Sequence, residues 1–137
     1  MSTLIDSNII IDLMHGTDRW ATWSEKALVA ASSSGALVIN QIVFAETAAY
    51  FTDSARFNRM SAGLDLFRED LPWEAAREAG LAHATYRLGG GARERVLADF
   101  LIGAHASAKG YKLLTRDARR YRAYFPSVDV IAPDSHP

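Results

Sequence analysis

Four acidic side chains lie within or at the ends of stretches that are otherwise apolar. They are Asp6 in LIDSN, Glu46 in IVFAET, Asp99 in LADFLIGAHA and Asp117 in LLTRD. Burying an unpartnered carboxylate costs free energy, so each of these positions needs a compensating partner. If the four carboxylates converge, a hard divalent cation such as Mg²⁺ or Mn²⁺ relieves their repulsion, because these ions prefer oxygen ligands. Such a cluster predicts a site that cleaves phosphodiester bonds.

Two neutral side chains near these acids can support the same chemistry. Asn8 lies two residues after Asp6, and Thr115 lies two residues before Asp117. An amide or a hydroxyl at that spacing can hold a carboxylate, or a water bound to a metal, without adding charge. Both residues can equally cap a helix or a turn, so their role stays open between the site and the backbone.

Each acid also has an ordinary structural explanation. Asp6 or Asp117 alone would most simply cap a helix or form a turn, and Asp99 can pair with Arg95 one helical turn earlier. Asp12 lies one and a half turns beyond Asp6, which places it on another face with a solvated or ion-paired role. The combination of two acids at strand ends and two on helices is what indicates a metal site.

A basic segment lies in the second half of the chain, although the whole chain carries a formal net charge of −1. Between residues 87 and 122, nine Lys or Arg accompany three acids, which is a local net charge of +6. A solvated helical face explains such a run as well as a phosphate-binding surface does. If the segment binds an RNA backbone, the candidates are Arg93, Arg95, Arg116, Arg119 and Arg120.

Short apolar runs that alternate with helical patterns predict an α/β fold built on a parallel sheet. The predicted strands are residues 3–5, 36–39, 112–115 and 128–131, with a doubtful further strand near 66–71, and helices fill the intervals. Functional groups of such a fold gather outside the carboxyl ends of the strands, where Asp6 and Asp117 lie. The glycines at 89–91 match no phosphate-binding loop and predict a flexible joint.

Length and composition limit the class of protein. The 137 residues predict one domain spanning 1–137, which is long enough to bury a core. Hydrophobic residues at 49% and charged residues at 23% argue against intrinsic disorder. The absence of cysteine excludes disulfides and thiolate zinc sites. Because no signal peptide or membrane-spanning run is visible, the expected location is the cytoplasm, with no membrane partner.

Four segments, taken in order, resemble the PIN-domain ribonucleases and, more narrowly, the VapC-type toxins of bacterial toxin–antitoxin pairs. They are LIDSNIIIDL, a lone Glu in the helix after the second strand, ADFLIGAHA, and LLTRDARRY before a closing strand. The similarity spans nearly the whole chain, and the order and spacing of the segments are more distinctive than any one of them. All four acidic positions of that family are filled in this sequence.

The resemblance implies a three-layer α/β/α sandwich with a mostly parallel sheet of about five strands. It also implies a Mg²⁺- or Mn²⁺-dependent endoribonuclease in which Asp6, Glu46, Asp99 and Asp117 bind the metal and Thr115 supports the site. The cation would lower the pKa of a water and offset the charge that develops on the phosphate. The implied partners are an RNA substrate, a small VapB-like antitoxin that covers the site, and a second copy of the chain in a homodimer.

Three other classes of protein stay open from the residues alone. A receiver-like signalling domain also gathers acids around Mg²⁺, but LIDSN lacks its adjacent acids and LLTRD has Arg116 in place of its lysine. A phosphatase with an Asp nucleophile favours a DxD spacing, in which Asn8 takes the second place here. The third class is a binding module with a structural metal. Metal-dependent RNA cleavage, phosphate transfer to Asp6, or neither activity separates these classes.

Overall fold

The computed structural model describes residues 1–15, 19–91 and 96–137, which form a parallel sheet flanked by helices. The sheet has five strands in the spatial order β3-β2-β1-β4-β5, and every neighbouring pair is parallel. The strands are β1 (Thr3–Ile5), β2 (Leu37–Ile39), β3 (Leu66–Arg68), β4 (Lys112–Leu114) and β5 (Val130–Ile131). The predicted α/β/α architecture is confirmed, and the doubtful strand is present as the short edge strand β3.

The helices fall in the intervals that the hydrophobic pattern indicates. They are α1 (Ser7–His15), α2 (Arg19–Ser34), α3 (Gln41–Tyr50), α4 (Ser54–Leu64), α5 (Trp73–Leu88), α6 (Val96–Lys109) and α7 (Arg119–Tyr124). Local chemistry explains several of the ends. Asn40 and Asp53 cap α3 and α4 by accepting hydrogen bonds from two backbone amides each, and Pro72 directly precedes α5.

The strand β1 lies in the middle of the sheet, between β2 and β4. Its three side chains are fully buried, as expected for a strand covered on both faces. The backbone continues the ladder one residue further, because the amide of Asp6 donates to the carbonyl of Leu114 at 3.0 Å. Asp6 therefore leaves the sheet at the carboxyl end of its central strand, where side chains from neighbouring strand ends meet.

The helix α6 is the most buried of the longer helices and packs against α3, α5, α7, β1 and β4. Phe100 and Ile102 are fully buried in the continuous hydrophobic core. At Gly103 the ring of Phe125 comes so close that an added Cβ would lie 2.4 Å from its Cδ2. This glycine lets α7 approach α6, so the packing of both helices depends on it.

The glycines that predict a joint stand at the end of α5. Gly89 follows the helix, and Gly90 adopts a positive φ of 88°, a conformation that glycine adopts without strain. The amide of Gly91 donates to the carbonyl of Tyr86 at 3.0 Å, which satisfies an acceptor of the last turn. Within the described ranges, no helix is long and apolar enough to cross a membrane.

Candidate acidic metal site

The four predicted acids come from four different elements that end or pass at the carboxyl edge of the sheet. Asp6 follows β1, Glu46 lies on α3, Asp99 lies in the first turn of α6, and Asp117 follows β4. Asp6 is only 5% exposed, Glu46 is half-buried, and Asp117 is exposed. The fold thus places one buried carboxylate below others that are progressively open to solvent.

Asp6 is held by three donors. The backbone amide of Ser7 donates to Oδ1 at 2.7 Å, and the hydroxyls of Thr115 and Tyr121 donate to Oδ2 at 2.8 Å and 2.9 Å. Thr115 is fully buried and Tyr121 is 2% exposed, so these hydrogen bonds form in a low-dielectric setting. Such donors stabilise the ionised form of a buried carboxylate, which would otherwise be very unfavourable.

Two hydroxyl groups join Asp6 to the carboxylates of Glu46 and Asp99, and a third joins it to the backbone of Asp117. The Ser7 hydroxyl donates to Oε1 of Glu46 at 2.9 Å and lies 3.4 Å from Oδ1 of Asp6. The Tyr121 hydroxyl lies 3.5 Å from Oδ1 of Asp99. The Thr115 hydroxyl accepts a hydrogen bond from the backbone amide of Asp117 at 3.1 Å. The carboxylates of Glu46 and Asp99 are therefore each one hydroxyl away from Asp6, and Asp117 is joined to it through its backbone amide.

Asn8 joins the two strand ends as a neutral group. Its amide nitrogen donates to the Thr115 hydroxyl at 3.2 Å, and its Oδ1 accepts from the backbone amide of Arg116 at 3.1 Å. The structure thus brings both neutral residues of the sequence prediction, Asn8 and Thr115, beside Asp6. Their contacts fix the loop after β4, which carries Asp117.

The electrostatics of the site disfavour its charged form. Burial raises the pKa of Asp6 despite the hydrogen bonds from Thr115 and Tyr121, and the nearby Glu46 charge raises it further. Burial likewise raises the pKa of Glu46, with a further contribution from Asp99. The pKa of Asp99 rises from 3.8 to about 6, chiefly by burial and by the Asp6 charge, although Arg120 opposes the rise. Neighbouring carboxylates that raise one another's pKa have unbalanced negative charge.

The donor set fits a hard divalent cation in chemistry, although its side chains are directed elsewhere. The candidate ligands are carboxylate oxygens, which Mg²⁺ and Mn²⁺ prefer, and a cation would offset the repulsion that raises the pKa values. In residues 1–15, 19–91 and 96–137, however, no group of three or more His, Cys, Asp or Glu side chains has the geometry to hold an ion. In this arrangement Asp99 pairs with Arg120, and Glu46 accepts a hydrogen bond from Ser7.

The predicted RNA-binding arginines have different surroundings. Arg116 forms an ion pair with the buried Asp12 at 2.9 Å and lies 5.4 Å from the ring centroid of Trp20. Arg120 pairs with Asp99, and Arg119 is exposed at the start of α7. Two further candidates lie outside the described residues, namely Arg93 and Arg95. Asp12 has the ion-paired role that its position predicts, with an additional hydrogen bond from Ser24 at 3.0 Å.

Two residues of the site are absent from the sequence prediction. Ser7 directly follows Asp6, and its hydroxyl reaches Glu46. Tyr121 lies on α7, and its hydroxyl contacts Asp6 and Asp99 across 115 and 22 positions, so no local spacing indicates it. An aromatic residue in a helical pattern is more often part of a core, and Tyr121 also packs near Gly103. Its ring is therefore structural while its hydroxyl faces the acids.

Comparisons with known proteins agree with the fold. The family model for the PIN domain matches residues 3–126. No curated protein matches the chain at a significant level.

Several solved structures share the architecture at low sequence identity. A toxin–antitoxin complex from Klebsiella pneumoniae is 23% identical with a TM-score of 0.70, covering 96% of this chain and 97% of that chain. VapBC-1 from nontypeable Haemophilus influenzae is 18% identical with a TM-score of 0.70, covering 96% of this chain and 98% of that chain. VapBC2 from Rickettsia felis, bound to a DNA fragment from its promoter, is 19% identical with a TM-score of 0.69. The match covers 96% of this chain and 98% of that chain. At these identities the likeness concerns the fold.

Proposed function

The chain belongs to the PIN domain family, and from this premise we propose that it is a metal-dependent endoribonuclease that hydrolyses RNA phosphodiester bonds. The proposed catalytic and metal-binding residues are Asp6, Glu46, Asp99 and Asp117, with Mg²⁺ or Mn²⁺ as the cofactor. The observation that carries the proposal is that hydroxyl groups join the buried Asp6 to the carboxylates of Glu46 and Asp99 and to the backbone of Asp117. Acids from four separate elements with no shared function have no reason to meet in this way.

The proposed chemistry divides between the cation and the chain. When bound by the carboxylates, the cation supplies a Lewis acid that activates water and offsets the charge of the phosphate. Ser7, Thr115 and Tyr121 hold the Asp6 carboxylate in one orientation through their hydrogen bonds. Glu46 and Asp117 are the candidates for orienting the attacking water, because they are more exposed than Asp6.

The phosphate backbone of the RNA is held by cationic side chains in the proposal. Carboxylates alone repel a polyanion, and the basic segment that includes Arg116, Arg119 and Arg120 adjoins Asp117 in the chain. Arg93 and Arg95 remain candidates from the sequence. Arg120 already faces the acids through its pair with Asp99, so it is the arginine best placed to reach a phosphate there.

The proposed biological role is that of a VapC-type toxin in the cytoplasm. The solved structures that share the fold include toxin–antitoxin complexes, which supports a small VapB-like antitoxin as a partner. A homodimer is proposed on the same family resemblance. A short neighbouring reading frame whose product co-purifies with this chain and inhibits it would test the role. The receiver-like alternative is not pursued, because the chain is a PIN domain.

The test is RNA cleavage by purified protein with and without added Mn²⁺. We expect Asp6→Ala and Asp99→Ala to abolish the metal-dependent cleavage while circular dichroism shows a folded protein. Asp53→Asn is the matched control, because Asp53 caps α4 and asparagine caps as well. Full activity in both alanine variants, free of host nuclease, would rule out the assignment. Metal binding without any cleavage by the wild type would instead favour a non-catalytic binding module.

A further inference from the structure

A second polar cluster lies beside the acidic site, and the proposed chemistry does not use it. His105 on α6 is fully buried among apolar residues. Its Nδ1 lies 2.9 Å from Nδ2 of Asn40, and its Nε2 lies 2.6 Å from Oε2 of Glu69. Glu69 also accepts a hydrogen bond from the Tyr111 hydroxyl at 2.7 Å. A fully satisfied polar network in a core specifies one arrangement of the elements that supply it.

The direction of every hydrogen bond in this cluster follows from the start of α3. Oδ1 of Asn40 accepts from the backbone amides of Ile42 and Val43, both at 3.0 Å, so its amide nitrogen must face His105. Nδ1 of His105 is therefore an acceptor, and its proton is on Nε2, which donates to Glu69. One series of hydrogen bonds therefore joins three elements. Asn40 follows β2 and donates to His105 on α6, and His105 donates to Glu69, which follows β3.

The hydrogen-bonded residues Asn40 and His105 each lie at a fixed distance from one acid of the proposed site, Asn40 from Glu46 along α3 and His105 from Asp99 along α6. Glu46 lies six residues after Asn40, and Asp99 lies six residues before His105. Six residues of helix correspond to about 9 Å. The Asn40–His105 contact therefore joins α3 and α6 at one end. At the other end Glu46 and Asp99 both approach Asp6, Glu46 through the Ser7 hydroxyl and Asp99 through the Tyr121 hydroxyl. A shift of α3 along α6 at the first contact moves the two carboxylates apart.

We infer that Asn40, His105 and Glu69 are positioning residues of the acidic site, which hold α3 and α6 in the register that sets the separation of Glu46 and Asp99. The inference rests on the proposed function for its catalytic consequence. The three residues touch neither substrate nor the acids. Groups that orient the ligands of a metal change its affinity or the activity by about 10- to 100-fold when they are removed.

The test uses variants that remove hydrogen bonds among Asn40, His105 and Glu69 while keeping the local structure. Asn40→Ser retains an oxygen that caps α3 but loses the amide that donates to His105. His105→Phe retains an aromatic ring but loses both polar contacts. Asp53→Ser is the matched control, because it replaces the cap of α4 with another capping residue. All measurements are made well below the melting temperature of each variant.

For both chain-breaking variants, we expect kcat for RNA cleavage to fall about 10- to 100-fold with KM for RNA unchanged, and Mn²⁺ binding to weaken by a similar factor. The double variant should lose no more than the worse single variant, because both changes break one chain. The Asp53→Ser protein should match the wild type. A network that only stabilises the fold would lower the melting temperature and leave kcat and Mn²⁺ affinity unchanged.

The two proposals fail in different ways. Mn²⁺ affinity, followed by electron paramagnetic resonance of the free ion, reports on the carboxylates whether or not RNA is cleaved. A wild type that binds Mn²⁺ but cleaves no RNA overturns the nuclease, and the affinities of the variants still decide the positioning role. If Asn40→Ser has the same kcat and the same Mn²⁺ affinity as the wild type, the positioning role is wrong. This result decides the question even if His105→Phe does not fold.

Discussion

At the scale of the residue, the acidic site is organised by hydroxyl groups. Ser7, Thr115 and Tyr121 each contact Asp6. Ser7 and Tyr121 also contact the carboxylates of Glu46 and Asp99, and Thr115 contacts the backbone amide of Asp117. A hydroxyl rotates and can donate to an ionised carboxylate, whereas a cationic side chain would neutralise it permanently. The site thereby keeps its negative charge in place with neutral groups. Arg120 is the exception, because its guanidinium pairs with Asp99.

The raised pKa values predict how stability depends on pH in metal-free solution. Asp99 titrates near pH 6 in the folded protein instead of 3.8, so the folded state binds its proton more tightly than the unfolded chain does. Its stability contribution is therefore unfavourable above pH 6 and is relieved as the pH falls from 6 towards 4. Asp6 and Glu46 act in the same direction. We expect a higher melting temperature at pH 5 than at pH 8.

The variant Asp99→Asn isolates that effect. It removes the charge, so it should stabilise the metal-free protein at pH 8 by up to about 3 kcal/mol, because the pKa of Asp99 is raised from 3.8 to about 6 even with Arg120 opposing the rise. The difference between pH 5 and pH 8 should shrink, and Mn²⁺ should no longer raise the melting temperature. Thermal melts at the two pH values, with and without Mn²⁺, measure all three. An unchanged pH profile would show that Asp99 ionises normally.

At the scale of the element, α6 has the central place. It carries Asp99 at one end and His105 further along, and it contacts α7 at Gly103. The short helix α7 in turn supplies Arg120 and Tyr121 to the site. The contact of these two helices therefore determines where the Tyr121 hydroxyl meets Asp6 and Asp99.

A pair of glycine substitutions tests this contact. Gly103→Ala places a Cβ 2.4 Å from Phe125 and 3.1 Å from Tyr121, so we expect a loss of about 1–3 kcal/mol through overpacking. Gly80→Ala is the control within another helix, because no atom lies within 4 Å of its added Cβ. That change should stabilise the protein by up to about 1 kcal/mol through helix propensity. Urea unfolding of both variants supplies the free energies, and equal values would contradict the close contact.

The elements were predictable because their signals are local, whereas much of the site is not. Periodicity and caps predict the strands and helices to within a few residues, and acids in apolar stretches indicate Asp6 and Asp99. The hydrogen bonds of His105 reach Asn40, which is 65 positions away, and Glu69, which is 36 positions away. No local sequence pattern encodes such pairings. The same holds for Arg120, which pairs with Asp99 across 21 positions. The predicted pairing of Asp99 with Arg95 lies outside the described residues.

At the scale of the whole molecule, the near-zero net charge conceals a division of charge. Acids gather at the carboxyl edge of the sheet, and basic residues adjoin them in the second half of the chain. Arg116 and Arg120 already form ion pairs, whereas exposed Arg119 is in none of the pairs found among the described residues. Arg119 can therefore bind a phosphate without first giving up a carboxylate partner.

Replacing this arginine tests the phosphate contact. We expect Arg119→Ala to weaken RNA binding at all sequences and to reduce the slope of log affinity against log salt by about 1, because one phosphate contact is lost. Stability should stay within about 0.5 kcal/mol, since the side chain is exposed. Arg77→Ala, on the exposed face of α5, is the control and should leave the slope unchanged. Fluorescence anisotropy with labelled single-stranded RNA measures the salt slope of each variant. Both substitutions are made in the Asp6→Ala protein, so that the RNA is bound but not cleaved.

The central position of β1 has a consequence for synthesis on the ribosome. Its partners are β2, about 34 residues later, and β4, which begins 109 residues later at Lys112. Asp6 is synthesised 109 residues before Thr115 and 115 residues before Tyr121, the two residues whose hydroxyls contact it. A chain interrupted before α7 lacks the Tyr121 hydroxyl that contacts Asp6, so the centre can be completed only after α7 has been synthesised.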